Sequence, residues 1–306
     1  MAIIGAGGVG GYYGGLLGRA GREVHLLARG AHLTAIRARG LSVRTPQESW
    51  TAQVRATGDA TELAAALGDG DLVLVAVKAY SLAEIAPAVA LLADRGADVL
   101  PLLNGVDAAE RLAGLGVARE RILGGVTYIS AARTGPGTIE RRGPFQRVLV
   151  GELAGSASER ARRVAALFAD AGVEARAVDD VTLALWQKFV FLASVAAACG
   201  LARSPIGPLR ETALGRRLIE RAVREAAAVG RALGVALPAD EEERVLSLIA
   251  SLPGAMKPSF LLDLEGGGPT ELDVLSGAVA RFAQEAGVET PVHDTAAAAL
   301  ATGAAL

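Results

Sequence analysis

The stretch MAIIGAGGVGGYYGGLLGRAG, followed at once by EVHLLARG, limits what this chain can fold into more than any other part of it. A short β-branched run, Ile3-Ile4, enters Gly5-Ala6-Gly7-Gly8-Val9-Gly10, and a helical pattern leaves it. This is G-x-G-x-x-G in a strand-to-helix setting. The first glycine permits a tight turn, the second lets the backbone approach a pyrophosphate, and the third allows close helix–strand packing. The helix N-terminus then supplies oriented N–H groups. Gly5, Ala6, Gly7, Gly8, Val9 and Gly10 therefore read as a dinucleotide-binding turn. A glycine-rich turn also serves packing alone, and it is the strand before and the helix after that give the six residues meaning.

Roughly 20 residues further on, an NAD or FAD site ordinarily places an acid against the ribose 2′-hydroxyl. Here the chain reads Leu27-Ala28-Arg29-Gly30. A guanidinium donates two charge-assisted hydrogen bonds to a phosphate, so Arg29 favours NADP(H) over NAD(H) and FAD. A solvated loop arginine is the plainer alternative.

Short apolar runs then alternate with Ala-rich and Leu-rich helical stretches: Val24 to Leu27, Leu72 to Val77, Val99 to Leu103 and Val148 to Val150. Such alternation predicts an α/β domain with a parallel sheet covered by helices, over residues 1–178. After Asp179-Asp180 the texture becomes helical throughout, punctuated by Ser204-Pro205, Pro238, Leu252-Pro253-Gly254 and Gly266-Gly267-Gly268. Residues 179–306 are expected to form an all-helical domain.

Composition narrows the partners. With 51% hydrophobic and 21% charged residues the chain is globular, and a net charge of -2 without long like-charge runs suits neither nucleic acid nor an anionic membrane surface. The partner is expected to be a small molecule. The single cysteine, Cys199, cannot close an internal disulfide, and no charged-then-apolar leader is seen, so a cytoplasmic setting is expected. The nearly apolar stretch Phe189 to Ala202 falls short of the roughly 20 residues of a membrane span and reads as a buried helix. His25, His32 and His293 with one cysteine give no metal-ligand spacing, and no G-x-S-x-G elbow is present.

Two further stretches end predicted strands at the sheet edge where ligands bind. LVLVAVKAYSL leaves Lys78 beyond one strand, a point charge for phosphate or substrate. VLPLLNGVDAAERL leaves Asn104-Gly105 beyond the next, and the amide suits a cofactor ribose or a substrate carbonyl. Asn-Gly is also a turn signal whatever the function.

IIGAGGVGG, VKAYSL, LLNGVDAAERL, WQKFVF and KPSFLLDLEGGGPTELDVLSGAV, in this order, resemble the ketopantoate reductase family over nearly the whole chain. The resemblance implies a Rossmann-type NADP-binding domain and a helical C-terminal domain like that of 6-phosphogluconate dehydrogenase. The implied activity is reduction of 2-dehydropantoate to pantoate on the route to pantothenate. It marks Lys188 as the catalytic lysine, Glu271 as the carboxylate that works with it, and Ser259 as a contact of the substrate carboxylate. Glu271 has a structural reading too, because Thr270 and Asp273 form a capping-box pattern that would put it in the first turn of a helix.

One departure stands out. Leu192 and Ala196 occupy the positions, four and eight residues after the lysine, where the family carries substrate-binding asparagines. Arg203 is a candidate replacement as a carboxylate clamp. The same departure keeps two alternatives open: a reductase of another 2-keto acid, and an NADP-binding sensor without catalysis. A helical domain this apolar also suits a homodimer.

Overall fold

The computed structural model describes residues 1–302, which separate into two compact units: Met1–Leu103 with Ala108–Val181, and Asn104–Asp107 with the residues from Thr182 on. The first is α/β and the second helical, the fold class read from the sequence.

In the first unit, the strands β1 (Ala2–Ile4), β2 (His25–Leu27), β5 (Arg55–Thr57), β6 (Leu72–Val75) and β7 (Asp98–Pro101) form a parallel sheet. Its strand order is β5-β2-β1-β6-β7. Every residue of β1, β2, β6 and β7 is buried, as a parallel sheet covered on both faces requires. The chain moves outward from β1 on one side and returns to β6 on the other, so the β1/β6 boundary is the switch point at whose carboxyl edge such sheets bind ligands. The glycine turn leaves β1 at that edge.

Helices α1 (Gly8–Arg19), α2 (Gly30–Arg39), α3 (Ala60–Ala66), α4 (Leu82–Ala93), α5 (Ala108–Gly114) and α6 (Glu159–Asp170) complete this unit, together with a second sheet. That sheet pairs a long antiparallel hairpin, β8 (Leu123–Gly135) and β9 (Thr138–Glu152), with β3 (Leu41–Arg44), β4 (Ser49–Ala52) and β10 (Glu174–Ala177) in the order β10-β9-β3-β4. Val148 to Val150, expected in the parallel sheet, belong to β9 instead. The rest of β9 is half-covered and charged, with exposed Arg142 and partly exposed Glu140, so only its last few residues form an apolar run.

The second sheet explains the surplus glycines of α1. A Cβ on Gly14 would fall 2.9 Å from Ile3 of the parallel sheet, whereas one on Gly15 or Gly11 would fall 2.5 Å from Val43 or 2.7 Å from Ile139 of the second sheet. The helix is pressed between two sheets. Each internal glycine costs about 1 kcal/mol of helix propensity, which the close packing offsets.

The second unit consists of α7 (Val181–Ala202), α8 (Ile206–Glu211), α9 (Ala213–Ala232), α10 (Glu241–Ser251), α11 (Ser259–Glu265), α12 (Ser276–Ala286) and α13 (Pro291–Thr302). Its core gathers Trp186, Phe189, Val190, Val223, Val245, Phe260 and Val279 around α7. At 22 residues α7 is longer than its apolar stretch, because Thr182, Gln187 and Lys188 continue the helix ahead of Phe189. By length and composition alone it is apolar enough to cross a membrane, yet 61% of its most apolar window is buried by the protein around it. Even Ser194 is buried, and its hydroxyl donates to the Val190 carbonyl at 2.6 Å.

Candidate active site

The glycine turn joins β1 to α1, and each of its glycines has its own structural reason. Gly5 has φ +103°, and a Cβ there would meet the Ala76 carbonyl oxygen, just beyond β6, at 2.7 Å. Gly8 and Gly10 are fixed by packing: a Cβ would lie 2.1 Å from the Ala131 oxygen and 2.1 Å from the Gly5 oxygen respectively. Gly7 is different, since an added Cβ would meet nothing within 4 Å and its φ is -78°. Nothing in the fold demands glycine at that position. It is also the N-cap of α1, and having no side chain it leaves the first N–H groups of the helix without a side-chain cap. An uncapped helix start beside a bare Cα fits a pyrophosphate.

Arg29 is the N-cap of α2, largely exposed, and paired with the carboxylate of Glu84 on α4. An exposed ion pair of this kind is worth about 0–1 kcal/mol, so a doubly charged phosphate can displace Glu84. Lys78 follows β6 by three residues and is partly buried at the start of a single 3₁₀ turn, Ala79–Ser81.

In the second unit Asn104 joins the two residues marked as a catalytic pair. Its Oδ1 accepts from Lys188 Nζ at 3.2 Å, and its Nδ2 donates to Glu271 Oε2 at 3.0 Å. An ammonium only donates and a carboxylate only accepts, so the amide can lie only this way round. Lys188 is held in register on α7 by its neighbours. Trp186 and Phe189 lock edge to face in the core, and Gln187 donates to the buried Glu241 at 3.1 Å. Burial lowers the Lys188 pKa to about 8, partly opposed by the Glu271 carboxylate.

Glu271 is 4% exposed and precedes a 3₁₀ turn, Leu272–Val274, rather than sitting in the first turn of an α-helix. The capping-box reading is corrected accordingly: α12 starts only at Ser276. Asp273, the residue that pattern assigned to the cap, instead pairs with Arg281 at 3.7 Å. Arg281 also donates to the buried Asp107 at 2.6 Å, which ties the Asn104–Asp107 segment to α12. The left-handed Gly105, φ +93°, brings that segment against Val274, 3.2 Å from where a Cβ would stand. Neither Asp107 nor Arg281 was singled out by the sequence, although Asp107 lies inside LLNGVDAAERL.

The other candidates are not drawn into this network. Ser259 is exposed at the first position of α11. Arg203 is exposed just past the end of α7, fifteen residues after Lys188. At a rise of about 1.5 Å per residue their backbone positions are roughly 20 Å apart along the helix axis. Arg203 lies outside the Lys188–Asn104–Glu271 network, and its role as a carboxylate clamp stays a proposal. Ala196 is 1% exposed and part of the core, and Leu192 packs against the same core, so neither position offers a polar group in place of an asparagine.

Comparison with known proteins places the chain. The model of the ketopantoate reductase PanE/ApbA family matches residues 1–155, and that of its C-terminal domain matches residues 180–303. The chain belongs to the ketopantoate reductase family. A 2-dehydropantoate 2-reductase of Halobacterium salinarum is 35% identical over 298 residues, 97% of this chain and 96% of the relative. The crystal structure of a PanE/ApbA family ketopantoate reductase from Ralstonia eutropha superposes with a TM-score of 0.88 at 30% identity, covering 100% of this chain and 99% of that one. A D-mandelate dehydrogenase solved with NADH and anilino(oxo)acetate shares the fold at a TM-score of 0.88 and 24% identity, covering 100% of this chain and 99% of that one.

Proposed function

We propose that this protein reduces 2-dehydropantoate to pantoate with NADPH. The observation that carries the reading is the Lys188–Asn104–Glu271 network, a partly buried proton donor held by one amide and, through it, one carboxylate. When bound on the glycine turn, the nicotinamide supplies hydride. Lys188 gives its proton to the keto oxygen, where negative charge develops, and a donor of this kind contributes typically about 10²–10⁴-fold. With its pKa lowered to about 8, the ammonium parts with its proton more readily than an ordinary lysine. Asn104 keeps Nζ aimed, and Glu271 favours the charged form until the proton leaves. The guanidinium of Arg29 and the ammonium of Lys78 are assigned to the coenzyme phosphates, and Ser259 to the substrate carboxylate.

A second reading is favoured by Leu192, partly buried on α7 one turn after Lys188, whose apolar side chain suits a 2-keto acid with an apolar substituent. The experiment is a panel of 2-keto acids offered with NADPH or NADH while nicotinamide absorbance is followed. The highest kcat/KM for 2-dehydropantoate supports the first reading, and the highest for another acid supports the second. Binding without turnover of any acid would leave a non-catalytic sensor.

Coenzyme choice is tested separately. Arg29→Ala is expected to weaken NADPH about 10–100-fold, the loss of one or two charge-assisted hydrogen bonds, and to leave NADH within about twofold. Equal losses for both coenzymes would remove Arg29 from phosphate recognition.

A further inference from the structure

His32 is 5% exposed in the first turn of α2, and both of its ring nitrogens are used. Nδ1 accepts the backbone N–H of Gly137 at 2.8 Å. It therefore carries no proton, and the single ring proton lies on Nε2, which donates to the Ala6 carbonyl oxygen at 2.7 Å. Burial holds the imidazole pKa below its usual value, the bond to Ala6 works the other way, and Arg133 on β8 disfavours a second proton further. The ring is neutral with one fixed tautomer.

Ala6 stands between Gly5 and Gly7 in the dinucleotide turn. The peptide that carries the Ala6 oxygen also carries the Gly7 N–H, and in a planar trans peptide the two point in opposite directions. A ring that holds the oxygen on one side therefore fixes the amide hydrogen on the other. Gly7 is the one glycine of the turn that the fold leaves open. Gly137, at the other end of the ring, is the tip of the β8–β9 hairpin, whose carbonyl in turn accepts from Ser42 of β3. The imidazole thus braces the turn against α2 and a rigid sheet.

We propose that His32 is a positioning residue for the coenzyme, acting through the Ala6–Gly7 peptide to present the Gly7 amide to the pyrophosphate. This rests on the reading that the glycine turn holds a nicotinamide dinucleotide. The two nitrogens can be tested apart, because a glutamine amide reaches about as far as Nε2 and an asparagine amide about as far as Nδ1. NADPH is titrated into the wild-type protein and into His32→Gln, His32→Asn and His32→Leu by nicotinamide fluorescence, with kinetics and thermal melting alongside. Gln is expected to bind within about threefold of wild type, and Asn and Leu about tenfold more weakly, the loss of a buried hydrogen bond. In kinetics the loss is expected in the KM for coenzyme and not in kcat. Three results overturn the proposal: all variants bind like wild type, Asn binds like wild type while Gln fails, or Gln and Asn lose affinity equally in step with their melting temperatures. If Leu does not fold, the Gln–Asn contrast still decides. Failure of the wild-type protein to bind NADPH or NADH refutes the dinucleotide reading itself, a result separate from any difference among the variants.

Discussion

Lys188→Met is expected to lower kcat for keto-acid reduction by about 10²–10⁴-fold, the contribution of a positioned proton donor, with coenzyme affinity close to wild type. Methionine matches the length of the stem without the charge. The same substitution is expected to leave the melting temperature unchanged or to raise it. Because desolvation depresses the folded-state pKa of Lys188 to about 8, its ammonium opposes folding fully below pH 8. That opposition fades as pH rises toward the value of an unfolded lysine. A large loss of turnover without loss of stability separates a proton donor from a core lysine. The pH profile gives a second test. Reduction needs the protonated amine, so kcat/KM is expected to fall above about pH 8, while oxidation of the hydroxy acid rises over the same range. Glu271→Gln removes the charge that holds this pKa up and should move the inflection to lower pH. An inflection that stays in place, or a methionine variant at undiminished rate, would remove Lys188 from the chemistry.

The glycine turn and the family were legible because each depends on local order: a strand, a turn and a helix in one case, and a run of motifs such as WQKFVF on α7 in the other. What escaped the sequence depends on partners far along the chain. Thr270 and Asp273 have the spacing of a helix cap, but Asp273 turns to Arg281 and Glu271 to Asn104, so a 3₁₀ turn forms there instead. His32 is indistinguishable in sequence from a solvated helix residue. Its two partners are backbone groups 26 and 105 residues away, and backbone groups leave no side-chain signature. The second sheet was missed because β8 is rich in glycine and alanine while the first half of β9 is charged and exposed, and half-exposed pairing reads as loop. Seven glycines in the first fifteen residues looked like one signal and are two. Some serve the turn, and the rest let α1 lie between two sheets.

That division predicts opposite outcomes for two alanines only three residues apart. At Gly10 a Cβ would stand 2.1 Å from the Gly5 carbonyl oxygen, 3.0 Å from Ile3 and 3.1 Å from Ala76. Two of those neighbours belong to β1 and the turn that leaves it, and backbone at the centre of a buried parallel sheet cannot retreat as a flexible side chain would. Gly10→Ala is therefore expected to cost at least the upper part of the ~1–3 kcal/mol typical of overpacked cores, lowering the melting temperature by several degrees or preventing folding. At Gly7 the backbone angle is one that alanine adopts freely and the space is empty, so Gly7→Ala is expected to melt within a degree or two of wild type. Its effect should fall on coenzyme binding, because the added methyl occupies the side from which a pyrophosphate approaches the start of α1, and a weakening of about tenfold or more is expected. Thermal melting of both variants and NADPH titration of the alanine-7 protein check the pair. Equal stability losses would mean that both glycines serve packing, and full coenzyme affinity in a stable Gly7→Ala protein would place the phosphates elsewhere.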